Sequence, residues 1–145
     1  MRVAKLQHQY EEDRQSRLEW HIAAQERHRE QHAEPRALPE LPALLGALAS
    51  PVRLFILGHV AIHRGDVTSI AQVSRVTLPT ASRHLRILTS HSILVVMPRG
   101  CHHDYRLSKF IETSVVGRTL ELCIHHATGQ RLQLSLPLEG GATLP

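Results

Sequence analysis

The chain has 145 residues, 42% of them hydrophobic but only 3% aromatic, with a formal net charge of +4 at pH 7. That length suits one compact domain with some extra chain, and its core has to be aliphatic. No run of about eighteen apolar residues is present, which excludes a membrane-spanning helix. The charged start "MRVAKLQHQYEEDRQSR" lacks the apolar centre of a secretory signal, so the expectation is a cytoplasmic chain. Two cysteines, Cys101 and Cys123, form no CxxC and no disulfide framework.

Charge becomes informative once it is placed. Residues 1–34 carry six Lys/Arg against seven Asp/Glu. Between residues 51 and 109, eight basic side chains (Arg53, Arg64, Arg75, Arg83, Arg86, Arg99, Arg106, Lys109) face only Asp66 and Asp104. A concentrated basic stretch is the electrostatic footprint of a polyanion binder, although a solvated basic surface has the same composition.

In chain order, residues 3–33 contain neither Gly nor Pro and predict one long polar helix, which forms an N-terminal extension over 1–34. Its apolar residues Val3, Leu6, Tyr10, Leu18, Trp20 and Ile22 make no sustained heptad seam. "EPRALPELP" breaks the chain, with residues 35–40 as a proline-rich linker. "LPALLGALAS" predicts a short apolar helix. In "SPVRLFILGHVAIHRG", Ser50 is an N-cap, Pro51 the first helical residue, and Gly65 the stop. "DVTSIAQVSRV" predicts a short helix starting near Thr68. After a turn through Val76, "TLPTASRHLRILTSHS" predicts a helix capped by Thr77, with Ala81, Leu85 and Leu88 on its buried side. "ILVVMPRGCHHDYRL" predicts a hairpin: Ile93 to Met97, a "PRG" turn and an antiparallel return. "SKFIETSVVGRTLELCIHHATG" is expected to close the unit as a helix capped by Ser108 and stopped by Gly129. Residues 129–145 alternate briefly at Leu132, Leu134 and Leu136 and then run out as a tail.

Three helices followed by a hairpin is the order of a winged helix–turn–helix, so the fold class expected is mainly α with a small β-hairpin wing over residues 41–128. Within that order, "LASPVRLFIL", "TSIAQVSRVTLPTASRHLRIL" and "RGCHHDYRLS" resemble the ArsR/SmtB family of bacterial repressors, over roughly residues 40–127. The resemblance implies a DNA-binding transcriptional regulator, a homodimeric repressor on a palindromic operator, released by an effector in some members. Its dimer seam would be the apolar face of a 109–127 helix with the 41–49 helix.

The residues support such a role on their own chemistry. With Leu85 and Leu88 turned inward, the second helix of the motif offers Thr77, Leu78, Thr80, Ser82, Arg83, His84 and Arg86 to double-stranded DNA. Arg83 suits a bidentate contact to guanine, worth about 1–3 kcal/mol of discrimination. Thr77, Thr80 and Ser82 divide between capping and phosphate contact, and Leu78 suits a thymine methyl where relatives commonly carry a polar residue. The wing adds Arg99, His102 and Arg106 to the sugar-phosphate backbone.

Twelve histidines raise the question of a metal such as zinc. The helical pair Cys123/His126, completed by His28/His32 or across a dimer, is the ligand set to examine. Against it, the family's thiol motif is absent from "DVTSIAQ", and Lys109, Phe110 and Ile111 stand where the family's last-helix ligands begin. Cys101, His102 and His103 are neighbours on a strand and cannot share one ion in regular geometry. A thiol switch through Cys101 and Cys123 is a second sensing route. Two further readings are a histidine-rich metal storage or delivery protein and a protein–protein adaptor. The chain has no HExxH, P-loop or GxSxG, so no enzyme is expected.

Overall fold

A computed structural model describes residues 2–32 and 35–138, and the chain divides into two compact units, Met1–Ala33 and Glu34–Pro145. The first unit is α1 (Arg2–His32), one unbroken helix. Val3, Tyr10, Leu18, Trp20 and Ile22 are exposed along it. Local pairs decorate it, among them His8 Nδ1 with Glu12 Oε1 at 3.9 Å, one turn apart.

In the second unit, prolines and caps set the boundaries where the sequence places them. The helix α2 (Leu41–Leu48) has Pro42 in its first turn and buries Leu44, Ala47 and Leu48. The next, α3 (Pro51–Ile62), is capped by Ser50, whose hydroxyl accepts from Arg53 N at 3.4 Å. Its buried face is Ile56, Leu57 and Val60. The short helix α4 (Val67–Ser74) begins one residue before Thr68, because Asp66 caps it and accepts from Ser69 N at 2.8 Å. Arg75 then adopts a left-handed conformation (φ 54°) and turns the chain into α5 (Leu78–Ser90). Thr77 caps α5 as expected, while Ala81, Leu85 and Leu88 are buried.

The hairpin follows. Strand β1 (Leu94–Arg99) pairs antiparallel with β2 (His102–Leu107), from Leu94 opposite Leu107 to Arg99 opposite His102. The turn is Gly100–Cys101, two residues later than the start of "PRG", with Gly100 at φ +60°. Glycine is the residue that takes this position in a two-residue turn without strain. Tyr105 N donates to Gly65 O at 3.1 Å, which stitches the start of the helix–turn–helix to the wing. About half of the chain is helical, and α3, α4, α5 and the β1–β2 hairpin form a winged helix–turn–helix.

The expected closing helix does not form. Residues 108–138 fold instead as an antiparallel meander of β3 (Ile111–Val116), β4 (Thr119–His125) and β5 (Arg131–Pro137). Three features explain the difference. Ile111, Thr113, Val115, Val116, Thr119 and Ile124 are β-branched and lose side-chain freedom in a helix. Leu120, Leu122 and Ile124 alternate with period two and are all buried. Gly117 sits at φ +61° in the two-residue turn between β3 and β4. Ser108 consequently caps no helix, and its buried hydroxyl makes no hydrogen bond.

Leu132, Leu134 and Leu136 face Ile124, Leu122 and Leu120 across the β4–β5 ladder, so this stretch of the expected tail is a strand. One aliphatic core results. It runs from Leu44, Leu48, Ile56 and Leu57 through Leu85, Leu88, Ile93 and Leu94 to Ile111, Leu120, Leu122 and Ile124. The expected dimer seam is thereby removed: its 109–127 helix is a sheet, and Leu44, Ala47 and Leu48 of α2 lie in the protein's own core. Leu122 is fully buried. Leu122→Ala should cost about 2–5 kcal/mol of stability in urea unfolding, the range for truncating a leucine in a packed core. A loss under about 0.5 kcal/mol would show that the meander is not part of the cooperative unit.

Candidate nucleic-acid interface

The burial of Ala81, Leu85 and Leu88 decides what α5 presents outward. Thr77, Leu78, Thr80, Arg83 and Arg86 are exposed, and Ser82 and His84 are half-buried. Leu78 is 48% exposed at the first helical position, where an apolar side chain can touch a thymine methyl but cannot hydrogen-bond a base. Thr77 Oγ1 accepts from Thr80 N at 3.4 Å and donates to Thr80 Oγ1 at 2.8 Å. The Thr77 hydroxyl is thus committed to the cap, and its bond to Thr80 leaves the Thr80 hydroxyl proton as the donor available to a phosphate.

His84 is less free than its neighbours. Arg53, on α3, donates from Nη1 to His84 Nδ1 at 3.3 Å. Burial, then the guanidinium of Arg53, then that of Arg83, lower the His84 pKa below its ordinary 6.5. At neutral pH the ring is therefore uncharged. The basic count of the sequence missed this relation, because Arg53 and His84 lie 31 positions apart and only the packing of α3 on α5 joins them.

In the wing, directly opposed residues share a face, so Arg99, His102, Met97, Asp104, Val95 and Arg106 lie on one side. Arg99 is not a free cation: its Nη1 donates to Asp104 Oδ2 at 3.2 Å, with the arginine exposed and the aspartate mostly covered. Arg106 is half-buried and donates from Nη1 to Leu107 O at 3.2 Å. His102 is exposed near Asp66, whose pKa is lowered chiefly by the Ser69 backbone and hydroxyl bonds and secondarily by this histidine.

Among the described residues, the proposed metal and thiol side chains are not brought together as the sequence suggested. Cys123 and His126 are not one helical turn apart, since Cys123 is on strand β4 and His126 begins the following loop. Both nitrogens of His126 are engaged. Nε2 donates to Pro39 O at 3.0 Å, which clamps the linker to the sheet, while Nδ1 accepts from Thr128 N at 3.3 Å and lies 2.7 Å from Thr128 Oγ1. The side chains of His28 and His32 lie outside the described residues. Cys123 instead accepts from Arg131 Nη2 at 3.5 Å on the polar face of the sheet, where His125 Nε2 approaches Glu112 Oε2 at 3.1 Å. Cys101 is exposed in the wing turn, and both thiols are free. Among the described residues, no group of three or more His, Cys, Asp or Glu side chains is placed to hold a metal ion.

No family model and no curated protein matches the chain. Solved structures similar to part of it include a homodimeric winged helix–turn–helix DNA-binding domain from Mycobacterium bovis, described as a possible ArsR-family transcriptional regulator. That match has 31% identity over 46% of this chain and 62% of the other, with TM-score 0.45. A second structure from M. bovis, a possible transcriptional regulatory protein, matches at 31% identity over 46% of this chain and 72% of the other, with TM-score 0.44. NolR from Sinorhizobium fredii matches at 24% identity over 47% and 68%, with TM-score 0.45.

A pH dependence follows from the two lowered histidines. His59, near the end of α3, is held below 6.5 by burial and then by His63. As pH falls through about 6.5, the unfolded chain takes up protons at His59 and His84 while the folded chain resists, so stability decreases toward acid. Thermal unfolding should show a melting temperature that declines between about pH 7 and pH 5, and His84→Gln should make that decline shallower.

Proposed function

We infer that this chain belongs to the winged helix–turn–helix regulators of the ArsR type, and that it binds duplex DNA in a sequence-specific manner as a homodimeric transcriptional repressor. The single observation that carries this reading is α5. Its apolar back is seated in the core, its outer side carries Arg83 and Arg86, and its exposed first turn, with Thr77, Leu78 and Thr80, projects past that core beside a basic wing. A helix of this kind, raised from the surface by a preceding helix and turn, fits the major groove with its N-terminal residues on base edges.

Roles divide by chemistry. Arg83 is the base reader, presenting a fork that matches guanine O6 and N7. Thr80, Ser82, Arg86 and the wing residues Arg99, His102 and Arg106 serve the sugar-phosphate backbone, which fixes register without reading sequence. One such module buries too little surface for high specificity, so two copies on an inverted repeat are required. The surface that joins them is other than the helical seam of the family resemblance. Effector release by metal or thiol chemistry belongs to this reading as well, with Cys123 on a strand and His126 in the following loop and not one helical turn apart. The reading also supports a regulator in place of an enzyme.

Selection from a random oligonucleotide pool at near-physiological salt should enrich an inverted repeat with half-sites about one helical turn apart. Random recovery would overturn sequence-specific repression. On the selected duplex, Arg83→Ala should cost about 1–3 kcal/mol and relax specificity at one position of each half-site, read by fluorescence anisotropy.

Asp104→Asn should act in the opposite sense. It releases Arg99 from its ion pair and removes a carboxylate from the wing face, so affinity should rise by about two- to fivefold. The salt slope should steepen by about 0.9 per phosphate gained in each subunit. Unchanged affinity and slope would take the wing out of the interface.

A further inference from the structure

The geometry points to Arg53 as a positioning residue for DNA reading: from outside the α4–α5 motif it fixes the ring of His84, so that α5 carries a neutral Nε2–H donor of set orientation toward the duplex. This rests on the regulator reading above and deepens it by naming what sets one of the reading groups.

The guanidinium of Arg53 has three partners. Nε donates to Ala47 O and Nη2 to Gly46 O at 3.3 Å, both at the C-terminal end of α2. The last carbonyls of a helix have no partner within it and carry its partial negative charge, so a cation there is held by hydrogen bonds and by the helix dipole. With two prongs of a planar fork anchored on α2, the third is aimed with little freedom. It meets His84 Nδ1 at 3.3 Å.

The chemistry of that contact has one solution. A guanidinium only donates, so Nδ1 must hold a lone pair, and the ring proton must sit on Nε2. Protonating Nδ1 would set two donors face to face beside a fixed positive charge. The charged groups that act on the ring, Arg53 from α3 and Arg83 from α5 itself, both oppose its protonation, as does its burial. His84 then offers a donor without a net charge. Such a group suits guanine O6 or N7, thymine O4 or a single phosphate oxygen, and it adds orientation without adding to the counterion term that governs non-specific affinity. A lysine at position 53 would supply a point charge but no fork, and so could not span α2 and α5.

Two arms test this, both on the full chain. In the first, imidazole nitrogen–proton correlation spectra of the free 15N-labelled protein report the His84 tautomer. The wild type should hold the Nε2–H form at neutral pH. Arg53→Gln and Arg53→Lys should mix the tautomers, and Arg53→Gln, which also removes the charge, should raise the His84 midpoint toward 6.5. An unchanged tautomer and midpoint in both variants would overturn the proposal, whatever DNA does.

The second arm compares the selected duplex with a scrambled duplex of equal length. Arg53→Gln should lose about tenfold on the selected duplex, the effect of one hydrogen bond misplaced, with scrambled affinity and salt slope unaltered. His84→Ala should lose as much. The double variant should lose no more than either single one, and His84→Gln, which keeps a donor near Nε2, should recover part of the loss. A salt slope shallower by about 0.9 per subunit in Arg53→Gln would mean that Arg53 binds phosphate itself, which overturns a positioning role. Should Arg53→Gln fail to fold, Arg53→Lys and His84→Ala carry both arms. Failure of the wild type to prefer the selected duplex would defeat the regulator reading alone, and the spectra would still decide whether Arg53 sets the ring.

Discussion

The burial of one side of α5 is the constraint on which the rest of the structure depends. Ala81, Leu85 and Leu88 have almost no exposed surface and share a core with Ile56, Leu57 and Ile70 of the two preceding helices. A helix has only one set of directions per turn, so seating those three residues assigns every other position on α5. Arg83 and Arg86 must then face away, and the threonine-capped start must project beyond the turn. The left-handed Arg75 and the bond from Tyr105 to Gly65 hold the approach to α5 and the wing against the same frame.

The core is completed by a meander and not by a helix, and this changes what surface is left for assembly. Leu120, Leu122 and Ile124 present one face of β4 inward, reinforced by Leu132, Leu134 and Leu136 on the next strand. The approach is close: a Cβ placed on Gly58 of α3 would lie 3.5 Å from Leu136. A sheet face that fills this space leaves no helix to pair with a second copy there. The inward-facing residues of β4 and β5 therefore serve the stability of one chain, and the clamp from His126 to Pro39 extends that service to the linker.

Charge count and charge availability differ in this protein. Of the basic residues between 51 and 109, Arg53 is spent on the end of α2 and on His84, and Arg99 is tied to Asp104 across the wing. A formal excess concentrated in one stretch of the sequence is thus sorted by the fold into tied and available members. Among the exposed members, Arg83 and Arg86 lie where the buried side of α5 requires them. The two histidines with lowered pKa, His59 and His84, are kept neutral by burial and by neighbouring basic groups, where a bare count of twelve suggested ligands or charge.

What the sequence determined by itself was everything carried by near neighbours. Ser50 before Pro51, Thr77 before Leu78 and Pro79, and the spacing of Ala81, Leu85 and Leu88 specify the helices and the exposed front of α5, since capping and helical faces span only a few residues. Asp66 as a cap was equally local, in "DVTS", and lay two residues before the start assigned near Thr68. The period-two leucines and β-branched residues of 111–124 were also present, but Ser108 and Gly129 fit the cap and stop of a helix equally well, and a short apolar run is ambiguous until something packs on it. Only the tertiary structure decided that β4 covers the core, that His126 bonds Pro39, and that Arg53 reaches His84. Each joins residues too far apart for any local periodicity to encode, because such contacts exist only after α2, α3, α5 and the sheet have met around one shared aliphatic interior.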